Sequence, residues 1–340
     1  MDGGSPSDAH APTDGQSPVD ASKDDGPSSV DASLDVTSVD ASPDVSTDAG
    51  GVLVLADNQP SPFGIAVDAQ NVYWTTLTST GTVMECAVGG CGNAPTTLVD
   101  GRPDPFIIAL DATNVYWTQF GAGGAVAACA ITGCNDVPTL FDAPSTFGQG
   151  ALVVQSGKVF WSDATTSSIY ACSATACNES PTVLASNQGY VAGVAADAQN
   201  VYWVQFDGGN IVSCAIGGCP GVPTSIVTGL TEPLWLVVDA TNVYWSTFSG
   251  VVATCPLSGC TTPQVLAQTG GNWVGLALDD QFVYMSDNAD ATISKCAKTG
   301  CNGAPTVLAS GQAGPRDVAV DATSVYWANE TGGTIVKLDK

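Results

Sequence analysis

The feature that most restricts the fold is a short aromatic motif that recurs along the chain. Val-Tyr-Trp stands at residues 72–74, 115–117, 201–203, 243–245 and 325–327, and Val159-Phe160-Trp161 and Val283-Tyr284-Met285 fill the gaps. The central aromatics are 43, 44, 42, 42, 40 and 42 residues apart. A unit of that length holds four short strands and cannot bury its apolar faces alone, so copies must pack side by side. This is the period of β-propeller blades. Seven units fill residues 51–340. The expected fold is all-β: a seven-bladed β-propeller of four-stranded blades.

Each unit reads as four strands, A to D. Strand A is a small, branched apolar run such as Gly64-Ile65-Ala66-Val67. The turn after it starts with Asp in six copies (Asp68, Asp111, Asp197, Asp239, Asp279 and Asp321), with Gln155 the exception. A carboxylate there accepts from backbone amides two or three residues on. Strand B is the aromatic motif, whose alternate side chains face the two neighbouring blades. Strand D follows a Pro-Thr signature such as Pro305-Thr306-Val307-Leu308. Proline suits an outermost strand, which can spare a donor. The seventh unit stops after strand C, at Ile335-Val336-Lys337-Leu338, while an orphan strand-D-like run, Val52-Leu53-Val54-Leu55-Ala56, precedes the first. The N-terminal strand is therefore expected to complete the last blade and close the ring.

The Asp-x-x-x-Val-Tyr-Trp signature over residues 51–340 resembles the YWTD-type propellers of lipoprotein receptors, and more loosely the NHL and TolB-like propellers of bacteria. The receptor propellers have six blades where seven are counted here. Their motif also ends in Thr-Asp, whereas here an Asp follows only at Ser162-Asp163 and Ser286-Asp287. The resemblance implies the fold and carries little about function.

Twelve cysteines fall into six pairs at one spacing: Cys86/Cys91, Cys129/Cys134, Cys172/Cys177, Cys214/Cys219, Cys255/Cys260 and Cys296/Cys301. Each pair lies between strands C and D, where it would staple one hairpin, and the unit without such a hairpin has no cysteine. Zinc would need pairs from adjacent blades to converge, because no histidine is available to complete a site. Disulfides are expected instead, each contributing about 2 kcal/mol by closing a short loop. They imply an oxidising, extracytoplasmic location, secreted or anchored to the outer cell surface.

Residues 1–50 are a different material, with 11 Asp against Lys23, no aromatic, and Leu34 alone among the larger aliphatics. Such a segment is expected to stay disordered, a flexible stalk spanning roughly 40 Å. It looks like the spacers behind the lipid-modified cysteine of bacterial lipoproteins, so a leader or lipid anchor is expected upstream. The whole chain carries 33 acidic and 8 basic residues, a formal charge of −25. Nucleic acid and anionic membrane are poor partners for it. No apolar run is long enough to form a transmembrane helix.

In a propeller the A–B turns and C–D hairpins share one face, here called the bottom, and the D–A and B–C loops share the other, the top. The top loops differ between units, so a ligand is expected there. Phe63, Phe106, Phe147, Tyr190, Trp235 and Trp273 stand at or before the start of strand A. They either line a mouth, with Tyr190, Trp235 and Trp273 foremost, or plug the channel. Arg102 and Arg316 lie in D–A loops and either hold a ligand anion or pair locally with Asp104 and Asp317. Asp104, Asp163, Asp207, Glu232, Asp287, Asp290 and Glu330 form an acidic rim, in which Asp287-Asn288-Ala289-Asp290 lacks the full ligand spacing of a calcium loop. No cofactor is expected.

The sole histidine, His10, lies in the stalk, so neither a Ser-His-Asp triad nor a His-ligated metal can form in the ring. Seven-bladed lyases that open cyclic antibiotics resemble this fold, but their chemistry depends on histidine. Lactonase-type propellers use a central metal, for which Glu232, Glu330 or Asp317 would have to serve. The function expected is a non-enzymatic binding module, a monomer that takes a protein, peptide or glycan at its top face. A metal-dependent hydrolase or lyase, and a purely structural envelope protein, are the alternatives.

Overall fold

The computed structural model describes residues 51–340 apart from 143–145, 149, 176, 178, 220 and 273, and gives no side-chain description for 146, 147 and 274. The segment read as a stalk therefore lies outside the described residues. Among the described residues are seven four-stranded sheets and no helix. In blade 1 the strands are Pro62–Val67, Asn71–Thr76, Gly81–Ala87 and Thr96–Arg102, antiparallel in the order A-B-C-D. Strand D of blade 7 is Leu53–Ala56, paired to Thr334–Asp339 through Leu53↔Lys337 and Val54↔Val336. The chain closes into a ring at that seam.

The aromatic motif explains why the blades associate. Residues alternate across a strand, so Tyr and Trp of one motif point to opposite sides of the blade. Tyr73 packs in one cluster with Trp117 of the next blade, Tyr116 with Trp161, Phe160 with Trp203, and Tyr202 with Trp245. Tyr244 meets Met285, Tyr284 meets Trp327, and Tyr326 meets Trp74 across the seam. Each ring is almost wholly excluded from solvent. Burying a large apolar side chain contributes about 1.5–3 kcal/mol, so each interface rests mainly on one such pair and its aliphatic neighbours.

A second pairing orients the tyrosines. Asp197 Oδ1 accepts from the amides of Gln199 and Asn200, both at 2.7 Å, while its Oδ2 accepts from the Tyr202 hydroxyl at 2.7 Å. The same three bonds recur at Asp68/Tyr73, Asp111/Tyr116, Asp239/Tyr244, Asp279/Tyr284 and Asp321/Tyr326. Blade 3 lacks both partners at once, having Gln155 and the hydroxyl-free Phe160. Its turn relies instead on positive φ at Ser156 (52°) and Gly157 (71°), a two-residue hairpin with Gln155↔Lys158 paired. Burial, and next to it the partner carboxylate, pushes the Tyr202 and Tyr244 hydroxyls up to about 12.

All six disulfides form as expected: Cys86–Cys91, Cys129–Cys134, Cys172–Cys177, Cys214–Cys219, Cys255–Cys260 and Cys296–Cys301, with Cα atoms 5.3–5.9 Å apart. Their expected role as staples of single hairpins is too narrow, because the hairpins also reach the preceding blade. Five of the six second cysteines (Cys91, Cys134, Cys219, Cys260 and Cys301) are only half-buried, and Cys177 is buried. Even so, each packs on apolar side chains of the neighbouring strand D. Cys134 joins the cluster of Leu98 and Val99, Cys219 that of Leu184, and Cys260 that of Ile226. The Cys260 amide also donates to Ile226 O at 3.4 Å. Elsewhere the sulfur itself makes the approach: Cys91 Sγ lies 3.5 Å from Leu55 O, Cys177 Sγ 3.2 Å from Phe141 O, and Cys301 Sγ 3.0 Å from Leu266 O. The reason is the pleat of the hairpin, which turns the second cysteine toward the blade behind it rather than into water.

The Asp–Tyr bridge yields a prediction for urea denaturation. Tyr202→Phe should lower stability by about 1 kcal/mol, and Asp197→Ala by about 2–3 kcal/mol because it also strips two amides. The double variant should match Asp197→Ala within about 0.5 kcal/mol; full additivity would show that the two side chains act separately.

Candidate functional site

Two places on the ring axis depart from the repeat. The first is the top mouth. The residue after strand B donates its backbone N–H to the residue preceding strand A of the same blade. The bonds are Leu77 to Ser61 (2.8 Å), Phe120 to Asp104 (3.4 Å), Phe206 to Tyr190 (2.9 Å), Phe248 to Glu232 (2.9 Å) and Glu330 to Gly314 (2.8 Å). Five blades thus share one loop frame. The residues on it differ, and in blades 2, 4 and 5 the frame pairs an aromatic residue with an acidic one: Phe120, whose ring meets Phe106 edge to face, with Asp104, Phe206 and Tyr190 with Asp207, and Phe248 with Glu232. Phe248 is 45% exposed, and Asp207 and Glu232 are exposed. Tyr190 and Phe206 meet edge to face at 5.7 Å, and Asp207 Oδ2 accepts the Tyr190 amide. Ser61, Asp104 and Glu232 hold φ of 50°, 41° and 45° directly before prolines, a conformation normally left to glycine.

Blade 7 presents a filled version of this arrangement. Arg316 lies over the Phe63 ring, 5.7 Å from its centroid, and its Nε donates to Glu330 Oε2 at 2.5 Å. Glu330, not the adjacent Asp317, is thus the ion-pair partner observed for Arg316. Arg102 ends strand D of blade 1, where its guanidinium donates to the carbonyls of Asp100 (3.0 Å) and Asp136 (3.2 Å). Asp136 belongs to the next blade's C–D hairpin, so Arg102 links blades rather than pairing with Asp104.

The remaining rim acids divide by role. Asp163 and Asp287, the two that follow the motif as in YWTD repeats, are buried. Asp163 accepts the amides of Gly148 and Thr165, and Asp287 those of Gly271 and Asp290. They cap loops. Among the described residues no group of three or more acidic, histidine or cysteine side chains is placed to hold a metal ion.

The second departure is inside the channel. At the level one residue before the strand A position paired with the motif Trp, the ring reads Gly64, Ile107, Ala151, Gly193, Trp235, Gly275 and Asp317. A Cβ on Gly64, Gly193 or Gly275 would fall 2.5–2.8 Å from a carbonyl of the next blade, so glycine is what lets these inner strands approach. Trp235 packs against the blade 1–3 cluster that holds Phe63, Phe106 and Ile107 as well as the blade 5–6 cluster, so its indole crosses the axis. Phe63 and Phe106 are buried, ring to ring at 4.6 Å, and support it from above. Below Trp235 a cavity of about 330 Å³ runs down the strands to Ala196, Val238 and Leu278 at the A–B-turn end. Asp317 lies at its inner end, with Oδ2 accepting the Ile65 amide (3.2 Å) and Oδ1 its neighbour Val318 (2.9 Å).

Of the residues expected at the site, the structure brings Tyr190 and Arg316 to the top mouth, carries Trp235 into the channel, and leaves Arg102 on the periphery. Trp273 and the Phe147 side chain lie outside the described residues. Phe120, Phe206 and Phe248 were missed, although Val-Tyr-Trp-x-x-Phe repeats at 115–120, 201–206 and 243–248.

No family model matches this chain, and no curated protein matches it. Among solved structures it is similar to a streptogramin B lyase, at 10% identity over 84% of this chain and 96% of that one, with a TM-score of 0.68. Virginiamycin B lyase from Staphylococcus aureus matches at 13% identity, 85% and 98% coverage and a TM-score of 0.67. The WD40 propeller domain of Doa1 matches at 12%, 84% and 95%, with 0.64. At such identities the likeness shows the fold alone. The chain is a seven-bladed β-propeller, and its six disulfides point to an extracellular setting.

Burial in the channel raises the Asp317 carboxyl from 3.8 to about 7, against the downward pull of the Ile65 and Val318 amides. Between those two values the unfolded chain has lost the proton that the fold retains, so this group makes stability fall as pH rises from about 4 to 7. Asp239 and Asp279 behave oppositely. Burial alone would raise them, but amide, lysine and tyrosine donors outweigh it and lower them, so their contribution is lost as pH falls below about 4. Urea midpoints at about pH 5 and pH 8 should differ less in Asp317→Asn than in the parent; an unchanged difference would place the titration elsewhere.

Proposed function

We propose that this protein is an extracytoplasmic, non-enzymatic recognition module whose top mouth binds an exposed basic segment of a protein or peptide partner. The observation that carries this reading is the shared loop frame with changing side chains, which pairs an aromatic residue with an acidic one in three blades. A ring face attracts a guanidinium or ammonium, and an adjacent carboxylate adds a charge-assisted hydrogen bond. Arg316 over Phe63, paired with Glu330, makes that same contact within the molecule. Charge supports the choice. All five described lysines (Lys158, Lys295, Lys298, Lys337 and Lys340) belong to the A–B-turn end, where they meet carbonyls, phenylalanine and tyrosine rings and turn carboxylates. The top is left acidic.

A glycan ligand is the second outcome to test, because the same aromatics could stack on sugar. The lyase neighbours favour it no further: one of them is a catalytically inactive histidine-to-alanine variant bound to quinupristin, and this chain's single histidine is His10. The stalk and an upstream lipid anchor belong to the proposal as the means of display.

Fluorescence polarisation against matched basic and acidic peptide libraries, alongside a glycan array, is the direct test. Basic peptides should bind and weaken as salt is raised from about 0.05 to 0.3 M. Phe248→Ala and Glu232→Gln should each weaken them by about tenfold, on the order of 1.4 kcal/mol. Binding of glycans alone, or of basic peptides unaffected by either variant, would overturn the assignment.

A further inference from the structure

The channel cavity opens on the face opposite to the aromatic rim, and the recognition reading makes no use of it. Its walls are aliphatic, among them Ile108, Leu152, Val153, Val194 and Val237. Its inner end carries one indole and one carboxyl, Trp235 and Asp317. Neither is required by the repeat, since the equivalent positions hold Gly, Ile or Ala. An aliphatic side chain at 317 would match the walls, whereas a carboxyl buried without a cation is destabilising. Both described arginines are engaged elsewhere, Arg316 with Glu330 and Arg102 on the periphery. Each Asp317 oxygen accepts one backbone N–H, and an ionised carboxylate has room for about four donors in all.

The geometry points to a ligand site: the lower channel binds a small hydrophobic ammonium compound, its cation held between the Asp317 carboxylate and the Trp235 ring and its apolar body against the aliphatic walls. At about 30 Å³ per water the chamber holds roughly ten waters, which sets the ligand at about ten non-hydrogen atoms. Asp111, Asp197 and Asp321 each follow a strand A that lines or adjoins the chamber and border its entrance with negative charge. Asp239 and Asp279 stand there too but are paired with Lys298 and Lys340, so the selectivity for a cation rests on the Asp317 carboxyl inside.

The pH behaviour separates this site from non-specific charge. Asp317 is the titratable group that lines the chamber, and the A–B-turn carboxylates Asp111, Asp239, Asp279 and Asp321 are held below their ordinary range. An arriving ammonium stabilises the carboxylate of Asp317, which is largely protonated at about pH 6 in the empty chamber. Binding there therefore releases a proton from Asp317 to solvent.

The test uses the full oxidised chain and a pair of probes, phenethylammonium and the neutral phenethyl alcohol, followed by calorimetry in buffers of different ionisation enthalpy. The ammonium should bind one to one, at least about tenfold more tightly than the alcohol, and release a proton at about pH 6. Asp317→Asn should abolish the preference. Ala196→Leu, which narrows the lower chamber without touching the carboxyl, should weaken both probes. Equal binding of the two probes by the parent chain, no binding of either, or an unchanged preference in Asp317→Asn would each overturn the assignment. The probe comparison on the parent stands even if the Asn variant fails to fold.

Discussion

Everything in this ring depends on one interlocking contact, the central aromatic of each blade seated against the third motif residue of the next, tyrosine on tryptophan at five interfaces, Phe160 on Trp203 and Tyr244 on Met285 at the other two. A four-stranded sheet of this size has two apolar faces and cannot stand alone in water. Alternation along strand B sends one large side chain to each face, so every blade is both donor and acceptor in a chain of equivalent contacts. The chain of contacts must either end in two exposed aromatic faces or close on itself. Closure occurs where Tyr326 meets Trp74 and where Leu53–Ala56 enters the last sheet. The Asp–Tyr bridges and the disulfide hairpins act at the margins of this contact, one orienting the tyrosine from the bottom and the other resting on the outer strand of the preceding blade.

Symmetry makes the exceptions informative. A repeat optimised only for packing would carry the same residue at equivalent positions. The top loops keep their backbone bond and change their side chains, as expected of a surface that binds something asymmetric. The axis behaves likewise: three glycines let inner strands converge, and Trp235 and Asp317 occupy part of the space along it. Departures from the repeat are therefore concentrated on the axis and at its upper rim, while the circumference repeats.

Much of this could be read before any coordinates. Blade number, ring closure and cysteine pairing follow from periods that the packing itself enforces, because a slipped copy would leave an aromatic in water. The link between Gln155 and Phe160 was also present in the sequence, since the carboxylate and the hydroxyl are lost together. Facing direction was harder. The spacing of Cys129 and Cys134 names a hairpin, but not the Leu98 side chain of the blade behind it. Phe63 and Trp235 stand one register step apart on equivalent strands, and that single step sends one ring into a blade interface and the other across the channel. Asp317 reads as a loop acid because it follows Arg316, yet the strand pleat turns it inward while Arg316 reaches Glu330. Phe120, Phe206 and Phe248 repeat with the motif and attract attention only once the loop frame beneath them is seen.

The closure claim has a direct test in equilibrium urea unfolding of the chain lacking residues 1–50 and of the chain lacking residues 1–57. If the first strand holds the ring shut, the shorter deletion leaves the midpoint unchanged, and the longer one lowers it sharply and broadens the transition as blade 7 loses its outer strand. Identical midpoints and slopes for the two deletions would contradict the account, for the ring would then hold without its seam.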